Sequence, residues 1–224
     1  MSESLPPDLR VLRHPRARRM KLRLDRADGA PVLVLPPRAS LAAGEAFVLD
    51  HLDWIAERRD ARPKRRPFGD GVSLPVLDDT LTVAHRPGER SGVRRDGALL
   101  LVSGEAAHIN RRVTDWLKAE ARRELGHCAR GHAADVGVKI ARIRIADQKS
   151  RWGSCSSSGA LSFNWRLILA PAFVLDFVAA HEVAHMREMN HGPAFHRLVA
   201  RLHPQVRQAE VWLRDNGPDL RAWG

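Results

Sequence analysis

Tyrosine is absent from the 224 residues, so no tyrosyl hydroxyl serves as a donor or acid anywhere in the chain. Cysteine occurs only twice, at Cys128 and Cys155, which excludes a disulfide framework and suits a reducing compartment. A cytoplasmic location is therefore expected. Long apolar runs are missing too: the stretch from Leu167 to Leu175 is cut by Pro171 and stops at Asp176, well short of the ~20 residues that span a bilayer. No membrane partner is expected. The opening MSESLPPDLR carries no apolar segment of the secretory kind, so no signal peptide is expected either. Acidic residues are in deficit, 26 against 37 Lys and Arg, and lysine is scarce at 5 beside 32 arginines. The net charge of +11 would suit a nucleotide or a nucleic acid held by an arginine-rich surface. It is spread evenly along the chain, however, and an arginine skew can equally reflect genome composition. Zinc-finger spacing, a helix-turn-helix signal and RNP-like motifs are not found.

What is present is a soluble-type composition, 44% hydrophobic and 28% charged, enough for a sizeable core. Residues 18–36 alternate, with Met20, Leu22 and Leu24 on one face and a turn at Asp28-Gly29, and predict a β-hairpin. A helix is expected over residues 40–62, where Val48, Leu52 and Ile55 recur at helical spacing, and a small antiparallel sheet over 72–102. A helix follows from Ile109 to Cys128. KIARIRIAD and ALSFNWRLIL then alternate as strands, and three helices close the chain, from Pro171 to about Asn190, from Pro193 to Pro204 and from Val206 to Asp215. Segregated strands and helices predict an α+β fold. The expected division is an N-terminal segment over 1–17, a β-rich part with one helix over 18–104, and a part bearing the chemistry over 105–224.

That chemistry lies in HEVAH, His181 to His185, followed by His191. Positions four apart share one helix face, so both imidazoles can reach one ion while Glu182 faces a water beside it. His191 follows a turn-forming Asn190 and precedes Gly192-Pro193, which can fold the chain back and add a third imidazole. Three protein ligands with one open position is the layout of a catalytic rather than a structural zinc. By chance an HExxH with a third histidine at that spacing should arise on the order of 0.001 times in such a chain. Core packing of His181 and His185 behind Val174 and Val178 is the competing reading. It leaves several polar atoms in need of partners, which a cation supplies. With the ion in place, Glu182 is the expected general base of a metal-assisted hydrolysis. Ser162, Asn164 and Arg166 would share one face of the strand before the metal helix, which aligns a peptide if it is an edge strand. Arg151, Arg166, Asn190 and His196 are the candidate oxyanion donors, and Arg151, Asn164 and Arg166 the candidate substrate-binding residues.

SRWGSCSSSGALSFNWRLILAP (Ser150 to Pro171) followed by FVLDFVAAHEVAHMREMNHGPAFHRLV (Phe173 to Val199) closely resembles the YgjP-like zinc metallopeptidase family, a relative of the SprT-like and WLM metalloproteases. RRMKLRLD and VLVLPP extend the similarity back to about residue 18. The resemblance implies zincin-like metal-binding helices packed on a small sheet, zinc on His181, His185 and His191, and a catalytic Glu182. Metzincins share the histidine spacing, but Glu188 stands where they need glycine and no methionine follows Met189. His196 stands where the family pattern has tryptophan. Cys155, in the SRWGSCS marker, has three readings: a fourth ligand, a reactive thiol, or the small buried hydrophobe that a free cysteine most often is.

Three functions follow. The first is a zinc peptidase acting on flexible polypeptide segments. The second is a nucleoside triphosphate pyrophosphohydrolase using the same ion, with Arg151 and Arg166 on the phosphates. The third is a nucleic-acid-associated protease whose binding weakens steeply with salt.

Overall fold

The computed structural model describes residues 4–25, 28–60 and 63–224. Its contacts divide the chain into two units, Met1–Pro63 and Lys64–Gly224. In the first, strands β1 (Arg10–Arg13), β2 (Lys21–Leu24) and β3 (Pro31–Leu35) form a sheet of order β1-β3-β2, with β3 parallel to β1 and antiparallel to β2. The expected hairpin is therefore β2–β3, its tip at residues 26 and 27 lying outside the described residues. One helix was expected over 40–62; two form, α1 (Leu41–Leu49) and α2 (Leu52–Asp60), and the expected end at 61 and 62 lies outside the described residues. Ser40 caps α1 by accepting from the Ala43 amide, and the break falls where the His51 amide turns back to the Val48 carbonyl. Both helices cover the sheet through a small core of Leu33, Leu35, Val48 and Ile55.

The second unit opens with β4 (Ser73–Val76), β5 (Asp79–Arg86), β6 (Val93–Asp96) and β7 (Leu99–Ser103), in the order β4-β5-β7-β6. This sheet is mixed rather than antiparallel throughout. The β6–β7 hairpin, turned at Gly97 (φ 58°), swings β7 alongside β5 in parallel, with Val83 opposite Leu100. Helix α3 (Ile109–Val136) is 28 residues long and continues past Cys128 until Gly137, at φ 69°, supplies its left-handed cap. Leu74, Leu81, Leu100 and Val102 of the sheet share one core with Leu117 and Leu125 of α3 and with Val174, Val178 and Val183 further on. That shared core is why the contacts divide after Pro63 and not near residue 104.

A second sheet follows, made of β8 (Arg142–Ala146), β9 (Gly153–Cys155) and β10 (Ala160–Asn164) in the order β8-β10-β9. The strand expected over ALSFNWRLIL stops at Asn164, and Trp165–Leu169 winds into a 3₁₀ turn. Asn164 drives this change by accepting from the Arg166 amide (2.9 Å), as a helix cap does. Helices α4 (Ala172–Ala184), α5 (Pro193–Leu202) and α6 (Val206–Ala222) complete the chain. α6 runs through Gly217-Pro218 instead of ending before them. Gly217 lies against Trp152, and Leu220 and Ala222 beyond it are buried, so packing outweighs the amide lost at Pro218. The architecture is α+β. No helix among the described residues is long and apolar enough to cross a membrane.

Candidate metal centre

α4 is apolar almost all round, with Val174, Leu175, Phe177, Val178 and Val183 buried, and it carries the HEVAH motif at its end. It does not run on to Asn190. The Met186 and Arg187 amides bond back three residues, to Val183 and Ala184, and this tightening ends the helix with His185 as its cap. The chain then loops through residues 188–192 and re-enters at Pro193, the first residue of α5, where a missing N–H costs nothing. This turn brings His191 back over His181, Nε2 to Nε2 at 3.4 Å.

One ring nitrogen from each of His181, His185 and His191 lies within 4.8 Å of the other two. The Nδ1–H of His185 donates to the Glu188 carbonyl at 3.1 Å, which leaves its Nε2 lone pair for the cluster. Burial first, then the nearby His185, His191 and His196, push His181 down to about 4, and burial also lowers His185. Imidazole nitrogens whose lone pairs converge on one point are the donor set of a borderline cation such as zinc. A tetrahedral ion with bonds of about 2.0–2.1 Å holds its nitrogens about 3.3–3.4 Å apart, which the His181–His191 spacing meets. The three residues therefore fit a metal.

Beneath them lies Phe195, 1% exposed, its ring centroid 4.9 Å from that of His181, 4.4 Å from His185 and 4.7 Å from His191. Sequence reasoning passed over this residue. Its only signal was its place on the apolar stripe of α5 with Val199, two residues after Pro193. Glu182 is 6% exposed, and burial raises its carboxyl to about 7 against the opposing charge of Arg151. A buried acid beside an ion site, poised near neutrality, is suited to exchange protons with a water.

The candidate substrate residues part company. Arg151 is exposed and close enough for Glu182 to feel its charge. Asn164 is fully buried and donates to the Gln148 carbonyl at 2.7 Å. Arg166 is buried as well, its guanidinium bonded to Asp147 and to the Trp223 carbonyl and lying 4.4 Å over the Trp165 ring. Ser162 shares the face of β10 with Asn164 and accepts from Gln148 at 3.3 Å, but Asn164 and Arg166 hold the 3₁₀ turn and lie buried rather than open to a substrate. Nor can β10 align a peptide, since β8 and β9 occupy both its edges. β8 and β9 are the outer strands of that sheet among the described residues, and β9 packs on α4.

Asn190 and His196 are exposed, one on the loop and one on α5, where His196 stays close enough to His181 to help lower it. The Cys155 thiol is raised by burial and by Glu182, and it bonds the Ser156 carbonyl, as a packed rather than a reactive thiol does. Below the centre, Asp176 of α4 accepts from His132 of α3 (2.8 Å) and faces His203 at the end of α5 (3.8 Å).

Three converging imidazoles and a buried carboxyl beside them are the equipment of a metal-dependent hydrolase. The chain belongs to the YgjP-like family: the model of its metallopeptidase domain matches residues 18–216. It is, by class, a metal-dependent peptidase. Among solved structures it is similar to the crystal structure of the metallopeptidase zymogen of Pyrococcus abyssi abylysin, at 18% identity over 42% of this chain and 92% of that one, with a TM-score of 0.37. A search of curated proteins returns no match.

Proposed function

We propose that the chain is a zinc peptidase that cleaves flexible polypeptide segments, with His181, His185 and His191 as ligands and Glu182 as general base. Zinc, when bound, supplies a Lewis acid for the scissile carbonyl and lowers the pKa of its water to about 7. Glu182 takes the proton of the attacking water and returns it to the leaving amine. The Glu188 carbonyl keeps His185 in the tautomer that offers Nε2. β9, with a free edge among the described strands, would pair with the substrate backbone, and Arg151 would face the developing oxyanion.

The observation that carries this reading is the 3.4 Å approach of His181 and His191 with buried Glu182 on the same helix end. The nucleoside triphosphate reading needs Arg166 as a phosphate ligand, and against it stands the commitment of that guanidinium to Asp147 and Trp223. The test is a side-by-side assay of zinc-loaded wild type and Glu182→Gln on unstructured polypeptides and nucleoside triphosphates. Peptide cleavage lost with Glu182 is the expected result. Release of diphosphate or phosphate that depends on Glu182, without peptide cleavage, would overturn the proposal.

A further inference from the structure

Gly153 is the first residue of β9, and its φ is not among the positive ones, so its backbone admits any residue. Space is what forbids a side chain there. A Cβ on Gly153 would lie 2.6 Å from Cγ and 2.7 Å from Cδ of Glu182, and nearer still to its Oε1. Gly88 of the same unit contrasts with it: a Cβ there would meet nothing within 4 Å.

Neither neighbour can retreat. Gly153 pairs with Phe163 of the central strand, which is fully buried, and the adjoining Trp152 carbonyl accepts from the Asn164 amide at 2.8 Å. On the other side, Ala179, Val183 and Ala184 of α4 are buried with no exposed surface. The backbone on both sides is pinned, so the Glu182 side chain alone is free to answer a change at position 153. We propose that Gly153 is a positioning residue for Glu182: the bare backbone of the edge strand forms the wall that fixes where the carboxyl stands beside the three imidazoles. This rests on the reading of Glu182 as the base, and it gives the glycine of the SRWGSCS segment a steric role in the reaction. A side chain at 153 would drive the carboxyl off its place while leaving all three imidazoles where they are.

The test is a cycle of Gly153→Ala, Glu182→Ala and the double variant, with Gly88→Ala as control, each zinc-loaded. Turnover of a denatured, carboxymethylated polypeptide, zinc affinity by chelator competition, and the thermal midpoint are measured. Gly153→Ala should lower kcat about 10–100-fold, since a misplacement near 1 Å has that effect, with KM and zinc affinity within about threefold of wild type. Its midpoint should fall by roughly 3–10 °C in the wild type and by less than about 1 °C in the Glu182→Ala background, where the atoms it strikes are gone. Gly88→Ala should match wild type throughout. Wild-type kcat in Gly153→Ala, or an equal thermal loss in both backgrounds, would overturn the proposal. Should Gly153→Ala not fold, a folded double variant supports the contact and failure of both overturns it. If the wild type cleaves no polypeptide, the peptidase reading falls, while the thermal cycle still decides whether Gly153 sets the position of Glu182.

Discussion

The ring of Phe195 stacks on that of His185, the centroids 4.4 Å apart and the planes 27° from parallel. A fully buried phenyl at this place does two things: it closes the underside of the centre to water and it limits how far each imidazole can tilt. Phe195→Ala should therefore lower stability by about 3–5 kcal/mol through the cavity it leaves. It should also weaken zinc binding about 10–100-fold, as the loss of supporting contacts around a ligand does. Chelator competition and denaturant titration of the same sample would separate the two, and Phe195→Leu should show smaller losses in both. Unchanged zinc affinity in Phe195→Ala would remove the residue from any role at the centre.

Glu182→Gln should retain zinc and lose about 10²–10⁴ in kcat. The pH profile follows from the same carboxyl. Burial raises it to about 7 before any ion is present, and a bound cation draws it down again, so the acid limb of kcat/KM should lie between the ordinary carboxylate value and about 7. The base works only when ionised, so activity falls as pH drops through that limb. Arg151 lowers the Glu182 pKa, and Arg151→Ala should move the limb upward.

Arg151 and Arg166 should separate cleanly on substitution. Arg166→Ala removes the partner of Asp147 and leaves the buried Trp223 carbonyl without its donor, at about 1–3 kcal/mol of stability. KM of the folded fraction should not move. Arg151→Ala should change kinetics and leave the denaturation midpoint where it is. A normal midpoint with raised KM in Arg166→Ala would return that residue to the substrate.

Asp176 ties α4 to α3 and to the end of α5, and its titration shows in stability. Burial alone would raise its carboxyl, but His132, the Cys128 thiol and His203 together outweigh this, and the net shift is downward. A carboxyl lowered in the folded state stabilises above the unfolded value of about 3.9, and that contribution is lost as pH falls through the lowered folded value. Asp176→Asn should thus be destabilised at pH 7, with the gap to wild type closing below about pH 4. Urea titrations at pH 7 and pH 3.5 check this, and a gap of equal size at both would refute it.

The three histidines that fit one ion are close in sequence and periodic, so HEVAH and His191 were legible at once. The errors lie where period-two alternation continues after the strand has ended. Trp165 and Leu167 are buried whether residues 165–169 extend or wind, so hydrophobicity alone could not show that Asn164 caps a turn and that Arg166 faces inward. Similarly, α6 passes Pro218 because Leu220 and Ala222 have a core to enter, a fact held in tertiary packing and not in local propensity. The parallel pairing of β5 with β7 and the closeness of Gly153 to Glu182 join distant stretches of chain that no local pattern connects.

The three imidazoles come from 11 consecutive positions, 181 to 191. An ion there ties off one short loop, whose closure entropy is small, and does not clamp remote parts of the chain. The carboxyl is placed differently, against a strand 29 positions earlier that takes shape only when the sheet does. Transplanted as a peptide or grafted onto another scaffold, the 181–191 segment would carry the capacity to capture metal but not the capacity to turn over a substrate.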